Sequence, residues 1–260
     1  MFKRIAVFSY GVGCYFAFFA TFLYAIGFIG DLITPTSIDS GPEEPLIQAL
    51  LVNTALLGLF AIQHSLMARS WFKRAWTRIV PEAAERSTYV LVSSLALILL
   101  FWQWRPMGGF IWDVKDPVVR AGVYGLYALG WITVLFSTIL IDHFDLFGLR
   151  QVYLYLRGRE YKPSKFKTPG LYQHVRHPLY LGWLLVFWST PTMTMAHLLF
   201  ALATTGYILI AIQFEERDLI RMFGDEYQRY RKQVPMILPL RVGKNHKTAP
   251  VLEEKANTMR

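Results

Sequence analysis

An all-α, polytopic membrane helix bundle of about six spans is the fold class this sequence predicts, and three observations predict it. The 260 residues are 54% hydrophobic and only 17% charged, with the apolar residues gathered in blocks. That composition is too apolar for an ordinary soluble domain. Positive charge alternates between the segments that join the blocks. The last block, finally, is long enough to cross a bilayer twice.

A span needs about 20 predominantly apolar residues. Residues 5–29, 46–67, 89–104 and 119–141 each come close, the third being short unless it extends toward Phe110. The first run is too long for a cleaved signal peptide, and Gly27-Phe28-Ile29-Gly30 offers a poor cleavage site. Lys3 and Arg4 precede span one; Arg69, Lys73, Arg74, Arg78 and Arg86 follow span two; Arg150, Arg157, Arg159, Lys162, Lys165, Lys167 and Arg176 follow span four. The loop after span one has Asp31, Asp39, Glu43 and Glu44 and no base, and the one after span three only Arg105 and Lys115. This is the positive-inside pattern, which places the basic loops and both termini in the cytosol. The +9 net charge therefore reflects topology and contact with membrane lipid, and no nucleic-acid partner is expected.

Residues 179–214 carry no charge. As one straight helix they would run about 50 Å, beyond the roughly 30 Å hydrocarbon core. The basic tail (Arg229, Arg231, Lys232, Arg241, Lys244, Lys247) would then lie outside. A turn near Thr190-Pro191-Thr192 instead makes a hairpin of two short, tilted spans, because Pro191 disfavours helix at and before itself. Residues 1–241 read as one integral membrane domain, with 142–241 as its cofactor-binding part and 242–260 as a mobile tail. Residues 68–87 suggest a short amphipathic helix with Trp71, Phe72 and Trp76 at the interface. Gly224 reads as a helix stop and Asp225 as a new N-cap, with Tyr227, Tyr230 and Val234 at helical spacing beyond it. The single Cys14, inside span one, excludes an intrachain disulfide or a thiolate metal cluster.

Four polar clusters can carry chemistry. His64 closes span two, where an imidazole serves either as a helix-dipole partner or as a functional group. Asp142, His143 and Asp145 follow span four: two carboxylates could raise the imidazole's basicity and make a general base, or could cap the helix end. The third cluster is Gly170, Tyr172, His174, Arg176, His177, Pro178 and Tyr180. Pro178 suits a first helical position, whose free N–H groups favour anions, and Arg176 beside it suits a carboxylate or phosphate. Glu215-Glu216-Arg217 is the fourth, and the hairpin would bring it back to the third. His174 and His177 could share a metal, but the chain has six histidines in all, His197 at the far face and His246 in the tail, so no metal is expected.

On these residues the chain resembles the isoprenylcysteine carboxyl methyltransferase superfamily. The likeness rests on Gly170-x-Tyr172, Arg176-His177-Pro178-x-Tyr180-x-Gly182, the hairpin, Glu215-Glu216-x-x-Leu219 and Phe223-Gly224-x-x-Tyr227-x-x-Tyr230, and covers roughly residues 170–239. Phospholipid N-methyltransferases and NADPH-dependent sterol reductases have related patterns. The resemblance implies S-adenosyl-L-methionine at the cytosolic face, surrounded by His174, Arg176, His177, Tyr180, Glu215 and Glu216. A narrower likeness covers most of the chain. Gln63-His64-Ser65-Leu66-Met67-Ala68-Arg69 and the stretch from Asp142 to Val152 resemble bacterial methanethiol S-methyltransferases, which make dimethyl sulfide from methanethiol. The histidine motif also occurs in membrane proteins of the NnrU type, so the second stretch discriminates better.

Methyl transfer from a sulfonium to a thiolate neutralises opposite charges in line, so a site that excludes water and aligns the groups supplies most of the catalysis. A simple thiol is mostly protonated at neutral pH, so a base is expected: His143 with Asp142 or Asp145 first, His64 second. A small thiol substrate can arrive through lipid, and no obligatory protein partner is evident. The rival enzyme is a membrane reductase of the sterol-reductase type using NADPH, with methylation of a larger lipidic or thiol acceptor as a further variant. A transporter or assembly factor would need polar residues midway through several spans, where only Asn53 and a few hydroxyls lie. The location implied is a bacterial inner membrane.

Overall fold

The computed structural model describes residues 1–42, 44–162 and 166–239. The expected mobile tail 242–260, Arg241, and the loop charges Glu43 and Lys165 lie outside the described residues. Helix α1 (Phe2–Gly30) is followed by α2 (Leu46–Met67), the short α3 (Ser70–Trp76) and α4 (Glu82–Gln103). Strand β1 (Phe110–Asp113), α5 (Pro117–Ile141), α6 (His143–Leu146) and α7 (Leu149–Leu156) come next. A single turn at Gly170–Gln173 leads to α8 (Pro178–Trp188), β2 (Thr192–Thr194), α9 (Met195–Phe223) and α10 (Asp225–Gln233). Helices α1, α2, α4, α5 and α9 are long and apolar enough to cross a membrane. The molecule is an all-α polytopic membrane bundle.

The helices close into a ring. Helix α1 packs on α4, α4 on α2, α2 on α9, α9 on α8 and α8 on α5. Tyr127 of α5 then returns to α1, donating its hydroxyl to the Ile26 carbonyl at 2.6 Å. The tightest seam joins α5 to α8. A methyl group on Gly182 would lie 2.9 Å from the Gly130 carbonyl oxygen, and one on Gly130 would lie 2.9 Å from the Val186 nitrogen. Backbones approach this closely only through small residues, which is how helices associate where lipid offers no hydrophobic gain. Between the helices, Phe28, Phe101, Trp104, Phe187 and Phe200 belong to one buried aromatic cluster.

Three expectations need correction. Span three does not extend toward Phe110; α4 reaches back to Glu82 instead. Its first turns look polar in sequence, but Thr88 bonds the Ala84 carbonyl within the helix, and Glu82 and Glu85 suit the positive N-terminal end. The C-terminal hairpin turns where Pro191 places it, but its arms are unequal. Helix α8 has only 11 residues, about 16 Å at 1.5 Å per residue. The rest of that arm is extended, and β2 pairs antiparallel with β1 (Phe110 opposite Thr194, Asp113 opposite Thr192). That pairing satisfies backbone groups that an apolar setting would otherwise leave bare. The returning arm, α9, has 29 residues, about 44 Å, so its last turns project beyond a 30 Å hydrocarbon core. Third, Gly224 itself caps the α9–α10 joint, at φ 55°, and Asp225 is the first residue of α10.

On the face away from the basic loops, Asn53 is wholly buried and spends its amide on the backbone of Arg105, accepting from its N–H at 2.9 Å and donating to its carbonyl at 2.7 Å. This deep amide is thus a staple for a loop. Asp39 accepts a hydrogen bond from Thr194 on the same face. Burial, reinforced by nearby Asp31, pushes the Asp39 carboxyl up to about 6.

Candidate active site

The two ends of the hairpin meet. His177 caps α8, with Pro178 as its first residue, and its Nε2 lies 3.2 Å from Oε1 of Glu216 on α9. Arg176 donates through Nε to the same oxygen at 2.8 Å, and through Nη1 to the carbonyls of Arg231 and Val234. Arg231 holds the other Glu216 oxygen at 3.0 Å. The backbone N–H groups of Arg176 and His177 donate to the carbonyls of Pro235 and Met236. Glu216 is therefore a hub, its side chain 4% exposed, and the anion at this helix start is the protein's own. Its neighbour Glu215 differs. That side chain is 45% exposed, 3.8 Å from His177 Nδ1 and beside the Tyr180 hydroxyl.

Around this knot stand tyrosines. The rings of Tyr180 and His177 are 5.6 Å apart. Tyr172 offers its carbonyl to the Tyr230 hydroxyl; burial, and next the Glu215 charge, push its phenol pKa up. Tyr227 is buried, and its hydroxyl has no partner among the described residues. Gly170 begins the preceding turn at φ 51°. His174 is exposed and reaches only its own turn, 3.4 Å from the Gly170 carbonyl. So Arg176, His177, Tyr180, Glu215 and Glu216 come together, Tyr172 joins through Tyr230, and His174 stands apart.

His64 lies on the adjoining wall. Its Nε2 is 2.7 Å from the Tyr89 hydroxyl and its Nδ1 is 3.1 Å from Ser93 Oγ. Tyr207 of α9 stands edge-on to it at 6.4 Å and bonds Ser65. Tyr180 feels the charge of Glu215 and, more weakly, the Tyr207 and Tyr89 phenols, so the His64 wall and the hairpin knot share one electrostatic neighbourhood. Arg69 roofs this side, stacked over Phe214 at 4.7 Å.

His143 occupies a different corner. Its Nε2 is 2.9 Å from the Tyr15 hydroxyl and its Nδ1 2.9 Å from Thr138 Oγ1. Phe144 and Phe147 pack on its ring, and burial lowers its pKa. The carboxylates expected to support it do not touch it. Asp142, at φ 100°, caps α6 by accepting from the Asp145 N–H and faces Arg150 at 3.5 Å. Asp145 takes Gln151 at 3.1 Å and Tyr161 at 3.2 Å. Gly148, at φ 88°, lies so close to Ser87 of α4 that a Cβ would sit 2.7 Å from its nitrogen. Asp142 to Val152 is thus a tightly built corner.

Sequence reasoning missed Arg231 as a ligand of Glu216, and missed Tyr89, Ser93, Tyr207, Tyr15 and Thr138 altogether. Hydroxyl residues inside apolar runs are too common to stand out, and only their convergence on an imidazole marks them.

Comparison with known proteins adds names to this geometry. The chain is 59% identical over 242 residues to a methanethiol S-methyltransferase of Crocosphaera subtropica, covering 93% of this chain and 94% of that one. It is 54% identical over 237 residues to a methanethiol S-methyltransferase of Mycobacterium tuberculosis, covering 91% and 97%. Rat nurim is 30% identical over 236 residues, covering 86% and 89%. No family model matches, and no solved structure matches.

Proposed function

The chain belongs to the methanethiol S-methyltransferase family, and from that premise we propose that it methylates a small thiol with S-adenosyl-L-methionine. Methanethiol would give dimethyl sulfide, at the cytosolic face of a bacterial inner membrane. The orientation follows from the basic loops, which mark the face holding the hairpin knot.

The observation that carries this reading is the meeting of Arg176 and His177 with Glu216, which leaves Glu215 half-exposed beside Tyr180. The donor set fits a zwitterionic nucleoside. Glu215 can accept an ammonium or a ribose diol, and Tyr227 brings a buried hydroxyl still without a partner beside the Arg176–Glu216 pair. Arg176 and Glu216, spent on one another, hold the frame, together with Gly170 and Pro178; Tyr172, His177 and Tyr180 line it, and His174 is placed to reach in only from outside. S-adenosyl-L-methionine, when bound, supplies an activated methyl group on a sulfonium.

The thiol needs a base. His64 ranks first in this reading, because Tyr207 of α9 borders it and its wall lies in the electrostatic neighbourhood of Tyr180 and Glu215. His143 ranks second, since Asp142 and Asp145 hold the corner and not its ring. The apolar helices around these groups suit a small thiol arriving from lipid.

The test incubates membranes holding the protein with methyl-labelled S-adenosyl-L-methionine and a panel of thiols, and assays the headspace. Labelled dimethyl sulfide from methanethiol is expected. No labelled volatile product from any thiol, with thermal stabilisation by NADPH and not by S-adenosyl-L-methionine, would replace the reading with a reductase.

A further inference from the structure

We propose that Tyr89 is the group that takes the thiol proton and passes it to His64. This rests on the function proposed above and deepens it.

Both nitrogens of His64 are occupied by hydroxyls, Tyr89 at 2.7 Å and Ser93 at 3.1 Å. A neutral imidazole has one donor and one acceptor nitrogen. A phenol is a far stronger donor than an alcohol, and the Tyr89 bond is the shorter of the two. The arrangement is then fixed: Tyr89 donates to Nε2, and Nδ1–H donates to Ser93. Gln63 Nε2 also points at Ser93, at 3.4 Å, which suits an Oγ acting as acceptor. The imidazole lone pair is thus covered, and the atom still able to accept a further hydrogen bond is the phenol oxygen.

A second observation marks where a small donor docks. Gln63 Oε1 is buried and has no hydrogen-bond partner among the described residues. An unpaired buried acceptor is costly, and a thiol S–H is a donor small enough to serve it. Gln63, Ser93, His64 and Tyr89 form one connected group on α2 and α4. Tyr180, which stands beside Glu215, shares the electrostatic neighbourhood of Tyr89.

The step balances. As the S–H bond breaks, its proton forms a new O–H bond on Tyr89. The original phenolic proton leaves for His64 Nε2, making an imidazolium with Nδ1–H still on Ser93. The S–H electron pair stays on sulfur and becomes the new carbon–sulfur bond. The imidazolium replaces the positive charge that the site loses on methyl transfer, so the total charge within this apolar setting is unchanged. The Arg86 guanidinium, 5.3 Å over the Tyr89 ring, repels a cation at His64 and so drives the proton off again, toward the Glu85 carboxylate one turn nearer the basic face.

The experiment compares ethanethiol with trifluoroethanethiol, close in size but very different in acidity. Tyr89→Phe should lose on the order of a hundredfold in kcat with ethanethiol, stay within about threefold with trifluoroethanethiol, and recover on the first thiol as pH rises. Nitrogen-15 spectra of His64 should show the two tautomers mixing in Y89F without any methyl donor present. Tyr10→Phe, which removes a phenol bonded to Thr88 outside this group, should leave the ratio of the two thiols unchanged. Equal losses on both thiols, with an unaltered pH profile, would overturn the relay. Should Y89F fail to fold, Ser93→Ala decides by the same ratio, with a smaller loss expected. If the wild-type protein methylates neither thiol, it is the function that fails; if it methylates both and Y89F shows no selectivity, only the relay does.

Discussion

Two imidazoles in this molecule are held alike and keep different company. His64 and His143 each set Nε2 against a tyrosine hydroxyl and Nδ1 against a serine or threonine. His64 is bordered by Tyr207 and shares the electrostatic neighbourhood of Tyr180 and the hairpin knot. His143 is bordered by Phe144 and Phe147, and the two carboxylates next to it in sequence turn away to Arg150, Gln151 and Tyr161. Adjacency in sequence favoured His143; adjacency in space favours His64. A hydrogen-bond pattern shows how a side chain is held, and its neighbours show what it is held for.

The largest effect should separate the two. His64→Ala is expected to cost 10²- to 10⁴-fold in turnover of methanethiol, and His143→Ala less than tenfold, by initial rates on purified protein. The reverse order would return the base to the α6 corner.

Next comes the contrast between neighbouring acids. Glu216→Ala leaves Arg176 and Arg231 facing one another with no anion between them, and breaking a buried pair costs about 3–5 kcal/mol. Glu215→Gln should leave the unfolding temperature nearly unchanged while weakening S-adenosyl-L-methionine binding by calorimetry. If both variants behave alike, the division into hub and ligand residue is wrong. The α5–α8 seam is a gentler test of the same frame: Gly182→Leu would overpack a backbone contact, costing about 1–3 kcal/mol.

The smallest effects concern pH, where the two faces should show opposite slopes. The Asp39 carboxyl is raised to about 6 from 3.8, so its contribution to stability is full below the unfolded value and lost as pH rises through 6. His143 is lowered from 6.5, so its contribution is present above that value and lost as pH falls. Between pH 7 and 5, Asp39→Asn should remove a stabilisation on acidification of about 1 kcal/mol, visible as a changed slope of unfolding temperature. His143→Gln should change the slope in the opposite sense. An unaltered slope in D39N would contradict the burial of that carboxyl.

Much of this was legible in the chain. Apolar blocks marked the long helices, though not the start of α4 or the shortness of α8, and Pro191 marked the turn, because a bilayer permits few solutions and each leaves a long compositional trace. The meeting of Arg176 and His177 with Glu215 and Glu216 followed from that topology alone. What stayed hidden was local. Hydroxyls that bond back into α4 looked like loop residues, so its start at Glu82 was missed. Residues 189–194 could be a frayed helix or a strand until β1 was there to pair with them. Arg176 read as a free anion clamp, because nothing in sequence shows that Glu216 and two carbonyls already fill it. Tyr89 and Ser93 meet His64 from a separate helix, a contact that no spacing within one segment can reveal.

The account depends on both ends of the hairpin reaching one membrane face. Single cysteines at Gln173, Arg221 and Lys115, each in a Cys14→Ala background, can be challenged with a membrane-impermeant maleimide in oriented vesicles. The prediction is that positions 173 and 221 are labelled from the same side and 115 from the other. Labelling of 173 and 221 from opposite sides would contradict it.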